Sequence, residues 1–342
     1  MIKFEDVFNF KNLYEAHLRA RKCKRHKREV VDFEVNLAQN LTKLEKSLQD
    51  GTYKIQGYKR FMIYDPKERE IQALSYYDRI VQNCLCYNFM VPVYCKKLIY
   101  DNAACQKGKG THFARARLER FLHDYYKKYG YQGYVLKVDI KKYFNNINHQ
   151  ILKQIFSTIY DFKLKDLVFN IIDSFEYSPN KGVPMGNQTS QIFALLYLNN
   201  LDRIIKTKFK IKYYIRYMDD LILIHSNKQN LIEVYNYINL YVQKVKIELN
   251  KKSKIFAFKN GIDFLGVKYK LLKTGKLLKK MKRQSKDRML KRIKFLHEQF
   301  FEKIINKQIL KMSLAGFKGN IKRLNVNGVA IKYLSYLKSL AA

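Results

Sequence analysis

Acidic residues are scarce in this chain: 29 aspartates and glutamates face 67 lysines and arginines, a formal net charge of +38. That balance argues for a polyanionic partner, since phosphate neutralisation gives affinity without any sequence readout. Tryptophan is absent while lysine, asparagine, isoleucine and tyrosine abound, as A+T-rich coding produces. Such drift accounts for many lysines but not for so few acids. The five cysteines (Cys23, Cys84, Cys86, Cys95, Cys105) form no CxxC pair, and Cys84 and Cys86 are too close for ordinary zinc ligation. They are expected to be reduced thiols, most of them buried, in a cytoplasmic protein. No apolar run approaches the roughly 20 residues of a spanning helix, and "MIKFEDVFNFKNLYEA" lacks the apolar core of a signal peptide. A soluble protein without a membrane partner is expected. Also missing are internal repeats, low-complexity tracts and a P-loop, because "GKGTH" at 108–112 does not fit GxxxxGK[ST].

What remains is a chain of 342 residues, 47% hydrophobic, enough for one large domain or two to three subdomains. Residues 11–50 have helical spacing that ends at Asp50-Gly51. Strand-like halves flank the turn Asp65-Pro66 within 58–75. The stretch 77–99 reads as a buried helix stopped near Pro92, and 101–114 as a glycine-and-lysine loop before another helix. "GYVLKVDIKKYF", 133–144, alternates like a strand, and a helix begins at "NHQILKQIFSTIY". "GVPMGNQTSQ", 182–191, is a loop before a buried helix. "IRYMDDLILIHS", 215–226, is a hairpin, 229–245 an amphipathic helix, and 254–272 a second hairpin turning at Asn260-Gly261. From Lys273 onward the pattern is helical and basic, with nine lysines or arginines against one aspartate in 277–296. The middle of the chain is thus strand, helices, hairpin, helix, hairpin, an α+β order with an antiparallel sheet.

Three acids stand out. Asp139 ends an apolar strand, and Asp219 and Asp220 sit side by side at a hairpin tip. Singly, each has a bland reading as a solvated strand end or turn. Together, at sheet ends in a chain so poor in acids, they suit hard divalent cations, which take one or two carboxylates plus substrate phosphates. Two such ions about 4 Å apart can activate a hydroxyl and stabilise a leaving pyrophosphate. A basic surface for nucleic acid and acids for metal point to nucleotidyl transfer.

These residues resemble the reverse transcriptases. "YMDD" at 217–220 matches their motif C, "LKVDIKKYF" their motif A, "GVPMGNQTSQ" motif B, "IELNKKSK" motif D and "FLGVKY" motif E. "DPKEREIQALSYYDRIVQNCL" and "NAACQKGKGTH" resemble their fingers segments, so the similarity runs in order from about residue 20 to about 325. The resemblance implies a right-hand polymerase fold of fingers, palm and short helical thumb. It divides the chain into an N-terminal extension with fingers (1–132), a palm (133–272, with part of the fingers interleaved) and a basic helical thumb (273–342). It implies that Asp139, Asp219 and Asp220 ligate two Mg²⁺ ions, with Mn²⁺ able to substitute. Lys67 and Arg69 would hold the incoming triphosphate, Phe144 would act as a steric gate against a ribose 2′-hydroxyl, and Met185, Gly186, Ser190 and Gln191 would line the nucleotide site. Lys251 or Lys252 would be the motif D lysine, and Phe264, Leu265 and Gly266 the primer grip. His149 reads as a helix-cap residue, not a ligand. The implied partners are a template RNA, a cDNA or RNA primer and dNTPs.

Motif B departs from the commoner QGxxxSP. Met185 stands where glutamine is usual and Gln191 where proline is usual, a GxxxSQ pattern resembling the reverse transcriptases of diversity-generating retroelements. Those copy RNA with errors at adenines and work with a small basic accessory protein. Methionine cannot offer the hydrogen bond of a glutamine amide, so right and wrong pairs would be separated less. Other readings stay open: an antiphage defence or retron-like reverse transcriptase, an RNA-binding scaffold without catalysis, and an RNA-dependent RNA polymerase.

Overall fold

The computed structural model describes residues 2–64, 68–321 and 324. Among the described residues are nine strands in three sheets. β1 (Tyr58–Ile63) and β2 (Arg69–Leu74) form an antiparallel hairpin in register Tyr58↔Leu74 to Ile63↔Arg69. Its turn, including Lys67, lies outside the described residues. β3 (Tyr134–Asp139), β4 (Tyr213–Tyr217), β5 (Asp220–His225) and β6 (Lys254–Ala257) form a sheet in the order β4–β5–β3–β6. β7 (Ile262–Phe264), β8 (Val267–Leu271) and β9 (Leu277–Met281) form an antiparallel sheet in sequence order.

The chain divides into two compact units. The first comprises Met1–Gly110, Lys137–Ile222 and Ile232–Lys254, the second Thr111–Leu136, Leu223–Leu231 and Ile255–Ala342. Local chemistry sets many helix starts. The side chains of Ser75, Asn148 and Asp161 accept from the amides of Asp78, Ile151 and Leu164, which the first turns of their helices leave unpaired. His149 is the first residue of its helix, buried and bonded through Nε2 to the Gly182 carbonyl at 2.7 Å, a structural placement.

The centre of the first unit is a buried ion pair. Arg216 of β4 and Asp202 of the helix Asn199–Thr207 are both 0% exposed. The guanidinium donates through Nε and Nη2 to Asp202 at 2.7–2.9 Å, through Nη2 to the Leu195 carbonyl at 2.8 Å and through Nη1 to the Met218 carbonyl at 3.1 Å. Tyr214 donates to the same carboxylate at 2.5 Å. The backbone of Arg216 pairs with Asp101 and Ala103. In the second unit, Met289, Ile293, Leu296, Leu310 and Leu314 pack the helix Arg283–Phe301 against Lys307–Ile321, and Lys279 of β9 pairs with Glu119 at 3.2 Å.

Several elements differ from their sequence reading. The helix from Tyr76 ends at Val93, near Pro92 as expected, but it reaches there through a π-turn at Cys86–Met90. Proline lacks a donor and its ring crowds the carbonyl four residues back, and the widened turn just before it takes up that conflict. The segment 254–272 is not one hairpin. Gly261, at φ +77°, turns the chain from β6 into a different sheet, and the hairpin turn is Leu265-Gly266, with φ of +46° and +83°. Residues 277–281 are a strand: Leu277–Met281 pairs with β8 from Leu271↔Leu277 to Val267↔Met281. The segment after motif B breaks at Leu198 into two helices, Gln188–Tyr197 and Asn199–Thr207. Only Cys84 and Cys86 are buried; Cys95 is half-buried, and Cys23 and Cys105 are exposed in loops.

Removing one member of the Arg216–Asp202 pair leaves the other charge buried alone. Arg216→Met is expected to lower stability by about 3–5 kcal/mol, and the Arg216→Met/Asp202→Leu double variant to recover most of that, read from urea midpoints.

Candidate active site

β3 delivers Asp139 and the β4–β5 hairpin delivers Asp219 and Asp220. Asp219 is the second residue of a two-residue turn; Asp220 is already the first residue of β5. Met218, the other turn residue, has φ +57°, a left-handed conformation that an unbranched residue tolerates at roughly 1–2 kcal/mol. The Arg216 bond to the Met218 carbonyl holds that conformation from below. The backbone then ties the acids together. Ile140 N–H donates to the Asp219 carbonyl at 3.3 Å, and Asn250 N–H to the Asp139 carbonyl at 2.7 Å. Ser253 Oγ accepts from the Asp139 amide at 3.1 Å. The motif D segment is therefore bonded directly to motif A.

Asp220 carries the electrostatic strain. Its carboxyl is pushed up to about 6, first by burial and then by Asp219 and Asp139, against the opposing pull of Lys137. Lys137 Nζ lies 3.4 Å from both carboxylate oxygens. Oδ1 is buried and accepts no hydrogen bond. Three neighbouring carboxylates, one with an unsatisfied buried oxygen, are a donor set suited to a hard dication. No three His, Cys, Asp or Glu side chains among the described residues converge as a ready-made cage, so oxygens from a bound substrate have to complete any coordination shell.

Motif B faces β2. Gly186 has φ +109°, and a Cβ there would lie 3.3 Å from Ile71 Cγ2. Gln72, buried in β2, accepts from Met185 N–H through Oε1 at 3.0 Å and donates through its own amide to the Met185 carbonyl at 3.4 Å. Ser190 is buried with its Oγ unbonded, while Gln191 is half-buried. Phe144 is half-buried, not on the strand but on the single helical turn Tyr143–Asn146, where its carbonyl accepts from Val183 at 2.9 Å. Arg69 is exposed at the start of β2, and Lys251 and Lys252 are exposed in the turn that clamps Asp139. All of these belong to the first unit. Phe264, Leu265 and Gly266 belong to the second, where Phe264 is fully buried and Arg115 Nη2 donates to the Leu265 carbonyl at 2.5 Å.

A cleft of about 570 Å³ opens beside Gly186. Lys24, Lys27, Arg28, Lys59 and Arg79 line it together with Phe61 and Ile71, and Glu29 is the one acid in its lining. Burial, then Arg79 and Lys27, lowers the pKa of Lys24. Sequence reasoning missed Lys137, Gln72, Arg216, Asp202 and the N-terminal lysines of this cleft. A signal existed for Lys137: two residues before Asp139 on a strand means the same face.

Residues 64–269, more than half of the chain, match the family described as reverse transcriptase (RNA-dependent DNA polymerase). The chain belongs to that family, whose members are nucleotidyltransferases. Among solved structures it is similar to apo telomerase from Candida tropicalis, at 16% identity, 68% of this chain, 49% of that chain and a TM-score of 0.50. It also matches the same telomerase truncated from its C-terminal domain, at 19% identity, 65% and 55% coverage and a TM-score of 0.48. The first likeness shows the right-hand polymerase fold. The chain spans about half the length of these solved chains. No curated protein matches it.

The raised pKa of Asp220 has a sign. A carboxyl held above its ordinary 3.8 at about 6 favours the folded state below pH 4, and that contribution is lost as pH rises through 6. Asp220→Asn is therefore expected to stabilise the metal-free protein by about 2 kcal/mol at pH 7.5 and not at pH 4. Thermal melts in EDTA at the two pH values check this.

Proposed function

We propose that the chain is an RNA-directed DNA polymerase that copies an RNA template with frequent errors. The observation that carries this reading is the trio Asp139, Asp219 and Asp220, linked through backbone hydrogen bonds, with a buried Asp220 oxygen that accepts no hydrogen bond. These three would hold two Mg²⁺ ions or Mn²⁺ in their place. Such ions stabilise charge on the attacking and leaving oxygens of an in-line displacement. The chain's own residues do the rest. Arg69, and Lys67 beyond the described residues, bind the triphosphate as fork and point charge. Phe144 stands on the turn after Asp139 and excludes a 2′-hydroxyl. Gly186, lacking a Cβ, admits the new base pair, with Met185, Ser190 and Gln191 around it. Lys251 neutralises departing pyrophosphate, and Phe264, Leu265 and Gly266 hold the primer end.

The domains follow the same reading: fingers with an N-terminal extension over 1–132, palm over 133–272, thumb over 273–342. The cleft lined by Lys24, Lys27, Arg28, Lys59 and Arg79 takes the template backbone, with Phe61 offering a ring to an unstacked base. In this family setting Met185 and Gln191 favour the error-prone, diversity-generating role over a defence or retron-like one. That role brings a small basic accessory protein as partner and a cytoplasmic location, consistent with five free thiols and with no helix among the described residues being long and apolar enough to cross a membrane.

Four outcomes test this. Purified protein with Mg²⁺, dNTPs and a primed RNA should make DNA whose sequenced errors gather opposite adenines; faithful DNA would move the role to defence or retron-like function. Asp219→Asn should lower synthesis by at least about a thousandfold while RNA binding in a filter assay stays within about twofold, since loss of a charge-stabilising group costs on the order of 10²–10³ or more. Met185→Gln should reduce the errors, and Phe144→Ala should let rNTPs compete with dNTPs in single-nucleotide extension.

A further inference from the structure

Lys137 is absorbed by no role so far, yet it makes the nearest cationic contact to Asp220. It lies on β3 two positions before Asp139, so both side chains leave the same face of the strand. β5, which begins with Asp220, is the neighbouring strand. Nζ stands at 3.4 Å from Oδ1 and 3.4 Å from Oδ2, astride the carboxylate. The contact is loose for a hydrogen bond and leaves Oδ1 without one, although this atom is buried. Both side chains retain only about a quarter of their exposure, 24% and 22%, so solvent screens the pair weakly.

We infer that Lys137 is a positioning residue that occupies the cation seat of Asp220 in the nucleotide-free protein and must leave it when a divalent cation arrives with the substrate. This rests on the metal-binding reading of the three aspartates. A dication bonded to a carboxylate oxygen sits about 2 Å from it. An ammonium astride the same two oxygens cannot stay there without strong like-charge repulsion. Lysine is suited to such an exchange: its charge is compact and its four-carbon stem swings freely. A free cation arriving alone offers the displaced ammonium nothing. A cation arriving on a triphosphate brings anionic oxygens that take the ammonium up. The pair therefore makes Asp220 poorly receptive to cations without nucleotide and receptive to the cation–nucleotide complex.

Manganese binding by the nucleotide-free protein, followed by the loss of the free-ion electron paramagnetic resonance signal, tests this directly. Lys137→Met should bind Mn²⁺ about tenfold more tightly than the unaltered chain, the usual scale for a residue acting on a metal ligand. Lys137→Arg, which keeps the charge, should behave as the unaltered chain, and circular dichroism melts establish that both variants fold. In the presence of dATP the Lys137→Met advantage should shrink below about threefold, because the triphosphate supplies the compensation. Affinity in Lys137→Met within twofold of the unaltered chain, or weaker, overturns the inference, as does an equal gain in Lys137→Arg. Asp219→Asn and Asp220→Asn separate this from the reading beneath it. If both keep full Mn²⁺ binding, the metal assignment itself fails; if both lose it while Lys137→Met changes nothing, only the role of Lys137 fails.

Discussion

The Arg216–Asp202 pair is the constraint on which the site depends. Two adjacent carboxylates can be presented from a two-residue turn only if its backbone is held in a left-handed conformation that methionine does not favour. One guanidinium meets that need from inside the core. It reads the Met218 carbonyl with one nitrogen, the Leu195 carbonyl with another, and balances its charge on Asp202. The five donors of arginine are what make this possible, and lysine could not replace it. The β4–β5 hairpin, the helix after motif B and the helix bearing Asp202 are thereby fixed to one atom group.

Charge is organised in two layers around that anchor. Below the surface, Arg216 is balanced by Asp202, and Lys137 stands against Asp220. At the surface, the lysines and arginines of the cleft beside Gly186 face each other with Glu29 as the one acid among them, and Lys24 has a lowered pKa, first from burial and then from Arg79 and Lys27. The overall +38 is thus not evenly spread. On the proposed function, a polyanion would relieve the repulsion of the cleft and cations that of the carboxylates.

Much of this was legible in the sequence. Alternation over 133–139 located one strand, and two apolar arms around Asp219 and Asp220 located the hairpin at 215–226. Order and spacing of motifs carried the fold. What could not be read were choices between partners. Leu277–Met281, read as helical, has no strand-like alternation; pairing with β8 makes it a strand, and that pairing leaves no local mark in LLKKM. Gly261 was rightly seen as a turning point, yet it redirects the chain between sheets where a hairpin was expected. Arg216 looked like one more basic residue among 67; only its burial reveals its function. Gln72 likewise gains its meaning from Met185, which is 113 positions away.

The order in which the two units draw on the chain has a consequence for its birth on the ribosome. The first unit uses residues up to Gly110 and then needs Lys137–Ile222 and Ile232–Lys254, with Asp139 itself clamped by Asn250 and Ser253. At synthesis rates of about 5–20 residues per second, the N-terminal helices wait on the order of ten seconds or longer before their last partners emerge. During that wait, the helix Tyr76–Leu85 and the turn Cys86–Met90, whose Val81, Leu85 and Met90 end buried, lack the helix Gln188–Tyr197 that contacts them. A nascent chain of this kind is a natural client for chaperones, and its yield in a cell is set as much by protection over that interval as by the stability of the finished fold.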